Sequence, residues 1–215
     1  MSGPVAQSHP EGPDAGRLRR HDVFPVPVWT IDCAHLAEVL PELVDGVDRS
    51  LAAHTVPDVI GSMTRNDLQS LEGAGWDLYR STVEGVCDAI AQGFSPPWVE
   101  RRSFTWGIRY DSSDEFEDEE HALHSHARAT LTSAMFISVP TVGGGDDSSA
   151  GALVLRNPQN HLLRRYGMDT YVHVPPVPLS MVVFPGFLEH FPQRPTIPGA
   201  FDVPRTLLVT DVHYY

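Results

Sequence analysis

Cysteine is almost missing from this chain: Cys33 and Cys87 are the only two among 215 residues. Both fall in segments that read as helical, so neither a disulfide framework nor a thiolate metal site is expected, and a reducing cytoplasm is the default compartment. Long apolar runs are missing too. None approaches the roughly 18 to 20 residues of a membrane span, and the polar, Pro- and Gly-bearing N-terminus lacks the apolar stretch of a signal peptide. Basic residues are few, 15 against 28 acidic ones for a net charge of −13. That balance argues against a nucleic-acid partner, because phosphate binding needs a basic face. No repeat and no second domain are visible, and 23.7 kDa fits one domain with a substantial core.

What is present is proline, 19 residues of it, which marks many chain reversals and suits a β-rich, loop-rich protein. Residues 1–20 read as a disordered tail and 21–215 as a single domain, with helical support over about 34–98 and a barrel core over about 102–215. Val23-Phe-Pro-Val-Pro-Val-Trp29 reads as an edge strand, since its prolines cannot donate to a central ladder. Leu36, Val39, Leu40, Leu43, Val44, Val47 and Leu51 recur at helical spacing, with Pro41 restarting or kinking that helix. A second helix is expected from about Trp76 to Phe94, with Leu78, Tyr79, Val83, Val86, Cys87, Ile90 and Phe94 on its buried side. After Pro97 the pattern becomes alternating: Arg102–Tyr110, Ala129–Val139, Gly151–Leu155, Thr170–Val174, Leu179–Phe184 and Thr206–Val212 read as strands. The chain is therefore expected to be mainly β with flanking helices, an α+β protein built on a β-sandwich or jelly-roll barrel. Gly143–Ser149 reads as a flexible hairpin connection, and Asp114–Glu120, with six acidic residues, as a solvated loop or lid.

Eleven histidines make any one of them weak evidence. His9, His21, His35, His54, His161, His173 and His213 read as incidental, and His121 is out of phase with the pair that follows it. His124 and His126 differ, because on an extended segment residues at i and i+2 present both imidazoles on one face. Imidazole suits iron, zinc, copper and nickel, so the pair is half a metal site. The third ligand is expected from His190, presented by the strand–turn–strand run Val182-Val-Phe-Pro-Gly-Phe-Leu-Glu-His190. Arg205, opening the last apolar strand, needs an anionic partner. That partner is either an internal carboxylate such as Asp202 or Asp211, or a carboxylate-bearing ligand held in the barrel.

The order of these motifs resembles the iron(II)- and 2-oxoglutarate-dependent oxygenases, and more closely the family whose first metal motif reads His-x-His. The resemblance rests on Trp106, His124-Ser-His126, Thr132–Pro140, Gly151-Ala-Leu-Val-Leu-Arg-Asn-Pro158, Phe184-Pro-Gly-Phe-Leu-Glu-His190 and Arg205-Thr-Leu, and covers nearly the whole chain after residue 20. It implies a double-stranded β-helix (jelly-roll, cupin-like) with Fe(II) on His124, His126 and His190. It also implies 2-oxoglutarate chelating the iron with its distal carboxylate on Arg205, and O2 as the oxidant. The reaction implied is hydroxylation, desaturation or cyclisation with decarboxylation of 2-oxoglutarate to succinate. Thr132 shares the parity of the histidines and is expected to face the co-substrate; Trp106 and Arg156 are candidate substrate contacts. The chain departs from the pattern at His126, where most oxygenases of the superfamily carry a carboxylate, at Asn157 (usually Asp) and at Gly186 (usually Ser).

Two other readings stay open: a three-histidine, cupin-like dioxygenase or isomerase that does not use 2-oxoglutarate, and a non-catalytic metal-binding barrel. The expected partner is a small-molecule or peptide substrate, cationic if the acidic run recruits it. Oligomeric state is left open, with a homodimer as one option.

Overall fold

Ten strands and two α-helices are found among the residues that the computed structural model describes, namely 19–23, 26–56, 61–94, 97–110, 123–126, 128–140, 151–158, 169–193 and 203–215. The strands are β1 (Arg19–Val23), β2 (Val26–Asp32), β3 (Ser62–Met63), β4 (Arg101–Tyr110), β5 (Leu131–Ser138), β6 (Leu153–Arg156), β7 (Tyr171–Val174), β8 (Ser180–Pro185), β9 (His190–Pro192) and β10 (Arg205–Tyr214). Seven form a large sheet in the order β1-β2-β8-β5-β10-β4-β3, and three form a small sheet in the order β7-β6-β9. Every pairing is antiparallel. The two sheets share an apolar core in which Leu153, Val154 and Leu155 of β6 meet Phe136, Val182, Phe184 and Val209 of the large sheet. This is the mainly β jelly roll expected from the alternation of short strands.

β5 is buried along nearly its whole length on both faces, because its two faces serve two different cores. Leu131, Met135 and Ile137 point outward under the helices, whereas Ala134 and Phe136 point inward to the second sheet. The outer face is covered by α1 (Leu40–Ala53) and α2 (Ala74–Ala91). A 3₁₀ turn over Ala34–Val39 precedes α1, and Pro41 sits in the first helical turn, where its missing N–H costs nothing. Val47 of α1 lies so close to Gly107 of β4 that a Cβ there would meet its side chain at 2.7 Å, so the glycine sets how closely helix and sheet approach.

Three sequence expectations need correction. β2 is not an edge strand: it pairs with β1 on one side and β8 on the other. The β8 ladder covers only Trp29–Asp32, so Pro27 lies opposite β1 alone, where no β8 acceptor is left waiting. The edge is β1, whose first two residues, Arg19 and Arg20, fall in the stretch expected to be a disordered tail. Leu78 and Phe94 are exposed rather than buried. Leu78 follows Trp76 by two residues, about 200° around a helix from the buried face, and Phe94 lies beyond the end of α2. The tail up to residue 18, the acidic run 114–120, His121 and the 143–149 connection lie outside the described residues.

Candidate metal centre

His124 and His190 form an antiparallel bridge outside the main ladders. The His124 amide donates to the His190 carbonyl at 3.0 Å, and the His190 amide returns the bond at 2.9 Å. Directly opposed residues carry their side chains on the same face, so this two-bond bridge sets the rings side by side with centroids 4.4 Å apart. His126 follows on the same extended segment, its amide donating to the Gly186 carbonyl at 2.8 Å. Its ring lies 5.3 Å from His124 and 5.1 Å from His190. One ligand nitrogen from each of the three lies within 4.8 Å of the others.

The histidine pair does not sit on β5 itself. A turn closed by the Ala129 amide on the His126 carbonyl at 2.7 Å separates it from that strand. Gly186 belongs to this arrangement: a Cβ there would press on the backbone carbonyls of Ala129 and His126. The serine common at this position in the resembling family would not fit beside this turn.

Hydrogen bonds to described residues orient the His190 and His126 rings. His190 Nδ1 donates to the Leu188 carbonyl at 2.9 Å; a carbonyl only accepts, so the proton is on Nδ1 and Nε2 keeps its lone pair. His126 Nδ1 donates to Asp211 Oδ1 at 2.6 Å, which likewise leaves the Nε2 lone pair available. Thr132 Oγ1 donates to the same Asp211 oxygen at 2.8 Å. His190 is almost wholly buried, and that burial, with His124 and His126 alongside, holds its pKa well below the usual histidine value. It is therefore neutral, as a metal ligand must be. Three imidazoles converging on one point suit a late first-row divalent ion such as iron, zinc, nickel or copper.

The cluster lines a cavity of about 450 Å³ between the sheets. Its walls are mostly apolar, with Ile108, Phe136, Phe184, Leu207 and Val209 among them. Arg205 adds a charged group to that lining. The chain contains no lysine, and Arg205 is the one cation among the described lining residues. Its Nη1 donates to the backbone carbonyls of Gly151, Ala152 and Gln193. The guanidinium lies 4.5 Å from the centre of the Tyr110 ring, a cation–π distance. Its Nε is buried without a hydrogen-bond partner among the described residues. Burial pushes its pKa down to about 10, so it remains charged at neutral pH. Of the two internal carboxylates considered for it, Asp211 bonds His126 and Thr132 instead, and Asp202 lies outside the described residues.

The remaining candidates divide. Trp106 lines the cavity and stacks on the His126 ring at 5.4 Å. Thr132 also lines it, with its hydroxyl committed to Asp211. Arg156 is not among the lining residues and pairs with Glu189 at 3.0 Å. Asn157 is buried away from the cavity, its side-chain amide donating to the Asp169 carbonyl at 3.4 Å. Tyr110 and the role of Asp211 escaped the sequence reading, although strand parity carries both: Tyr110 is in phase with Trp106 on β4, and Asp211 with Arg205 on β10.

No protein-family model and no curated protein matches the sequence. Solved structures do match. A prolyl-4-hydroxylase from Pseudomonas putida superposes with a TM-score of 0.57 at 13% identity, over 87% of this chain and 92% of that one. HygX from Streptomyces hygroscopicus, solved with nickel and 2-oxoglutarate bound and also with iron, gives 0.57 at 11% identity over 86% and 82% in the first of those states. SnoK, a non-heme, α-ketoglutarate-dependent carbocyclase from nogalamycin biosynthesis, gives 0.56 at 11% identity over 82% and 75%. The chain thus has the jelly-roll, double-stranded β-helix fold of these 2-oxoglutarate-dependent oxygenases.

Proposed function

We propose that this protein is an iron(II)- and 2-oxoglutarate-dependent oxygenase acting on a small molecule. The observation that carries the reading is the pairing, in one apolar cavity, of three converged imidazoles with a buried arginine that no described carboxylate neutralises. Three protein nitrogens on one face leave positions for a bidentate keto acid and for oxygen. When bound, Fe(II) would supply the coupling of O2 reduction and keto-acid decarboxylation to oxidation of a substrate C–H bond, with succinate and CO2 as products.

The residues supply positioning. His124, His126 and His190 hold the ion at one place in the cavity. Arg205 offers its unpartnered Nε edge and its charge to the distal carboxylate of the keto acid, against largely apolar walls where such a charge-assisted bond is strengthened. Tyr110, directly opposite Arg205 in the β4–β10 register, places its ring under the guanidinium and limits how that group can turn. The apolar walls exclude water and receive an apolar portion of the substrate. No acidic side chain is among the described lining residues. Trp106, stacked on His126, is placed to contact the substrate beside the metal.

Anaerobic addition of Fe(II) and then 2-oxoglutarate should produce a weak visible metal-to-ligand charge-transfer band. A substrate screen scored by succinate formation would follow. Iron binding without that band, and turnover of a substrate without 2-oxoglutarate, would replace this reading with a three-histidine dioxygenase. The all-imidazole donor set suits that reading too, with Arg205 then holding a substrate carboxylate.

A further inference from the structure

We infer that Asp211 is a positioning residue for the metal centre, acting through His126 and supplying from behind the ring the negative charge that an all-imidazole ligand set lacks. The inference rests on the metal-binding reading above and extends it to a residue that does not reach the ion itself.

Asp211 lies on β10 opposite Phe104 of β4 and Thr132 of β5, at the histidine end of the inner face. One of its oxygens, Oδ1, takes two hydrogen bonds: from His126 Nδ1 at 2.6 Å and from Thr132 Oγ1 at 2.8 Å. The His126 side chain is 9% exposed and that of Asp211 18%, so solvent screens the pair poorly. One face of the His126 ring is stacked against Trp106. The imidazole is thereby fixed in tautomer by Asp211 and in tilt by Trp106, and Thr132 fixes the carboxylate in turn.

The arrangement has a chemical reason. Three neutral imidazoles leave a divalent ion with its full charge, whereas a ligand set containing a carboxylate neutralises part of it. An Asp–His–metal relay brings one negative charge close to the ion and makes the intervening imidazole a better donor. His126 stands at the position where the resembling oxygenases mostly carry a carboxylate, and its own ring is hydrogen-bonded to one. Asp211 therefore restores, one bond further out, the charge lost at position 126.

The test is a double-mutant cycle read as Fe(II) affinity under anaerobic conditions, using the metal alone. Asp211→Asn keeps the size and an acceptor for both hydrogen bonds but removes the charge; Asp211→Ala removes both. Unfolding transitions of the metal-free proteins confirm that each variant is folded, and the near-isosteric Asn variant bears the test if the Ala variant is not. We expect Asp211→Ala to weaken Fe(II) binding by roughly 10- to 100-fold and Asp211→Asn by less. In a His126→Ala background, Asp211→Asn should produce no further loss, because the residue through which Asp211 acts is gone. Unchanged affinity in Asp211→Asn, or the same loss with and without His126, would overturn the inference while leaving the metal centre standing. A wild-type protein that binds no Fe(II) would remove the proposed function and this inference together.

Discussion

His124 and His190 face each other across a two-hydrogen-bond bridge, and this backbone pairing brings together two members of the histidine cluster from positions 66 residues apart. The histidines need no long ladder to be adjacent. They need only the turn at Gly186 and the β8–β9 reversal that returns the chain alongside the 123–126 segment.

Removing one member of the triad should therefore act on metal binding more than on folding. His190→Ala is expected to weaken Fe(II) binding by more than roughly 100-fold, beyond the range for loss of a supporting residue, and to abolish the charge-transfer band with 2-oxoglutarate. Anaerobic titration against the wild type checks it; a retained band would mean that His190 is not a ligand.

Arg205→Lys keeps the charge but loses the planar fork and the Nε edge. Loss of one charge-assisted hydrogen bond, about 1.5 to 3 kcal/mol, should raise the KM for 2-oxoglutarate by roughly 10- to 150-fold with a smaller change in kcat. An unchanged KM would place the keto acid elsewhere.

Gly186→Ala tests the turn that carries the site. The new methyl would sit 2.6 Å from the His126 carbonyl and also against that of Ala129, both backbone atoms that cannot swing away. A cost of about 1 to 3 kcal/mol is expected for such overpacking, read as a lower denaturant midpoint at unchanged slope, together with weaker metal binding. Wild-type behaviour in both would show that the turn shifts freely.

Burial pushes both thiols, Cys33 and Cys87, up to about 12. The thiolate is the reactive form, so at pH 8 neither should react with a disulfide reagent until the protein unfolds. The same shift sets an alkaline limit to stability. Above pH 9 the unfolded chain releases these protons while the folded one keeps them. Each thiol then lowers unfolding free energy by about 1.4 kcal/mol per pH unit up to about pH 12. Replacing both cysteines with alanine should flatten that part of the stability profile.

Much of this was legible in local pattern. Period-two alternation located the barrel strands, helical spacing located α1 and α2, and the proline-glycine turn before His190 marked a reversal. These are properties of neighbouring residues, and the sequence by itself determines them: an i, i+2 histidine pair shares a face on any extended segment. Strand β1 escaped because its polar residues carry no burial signal of their own; its pairing with β2 makes it a strand.

The partnerships across the fold were decided by tertiary structure alone. In the sequence Asp211 reads as a partner for Arg205, with which it shares the inner side of the last strand. The six-residue separation along β10 puts Asp211 at the histidine end and Arg205 beside Tyr110. Arg156 and Trp106 both sit on strands, yet Arg156 turns to Glu189 and Trp106 into the cavity. Sequence spacing sets the face on which a side chain lies; only the pairing and stacking of sheets decides what stands opposite it.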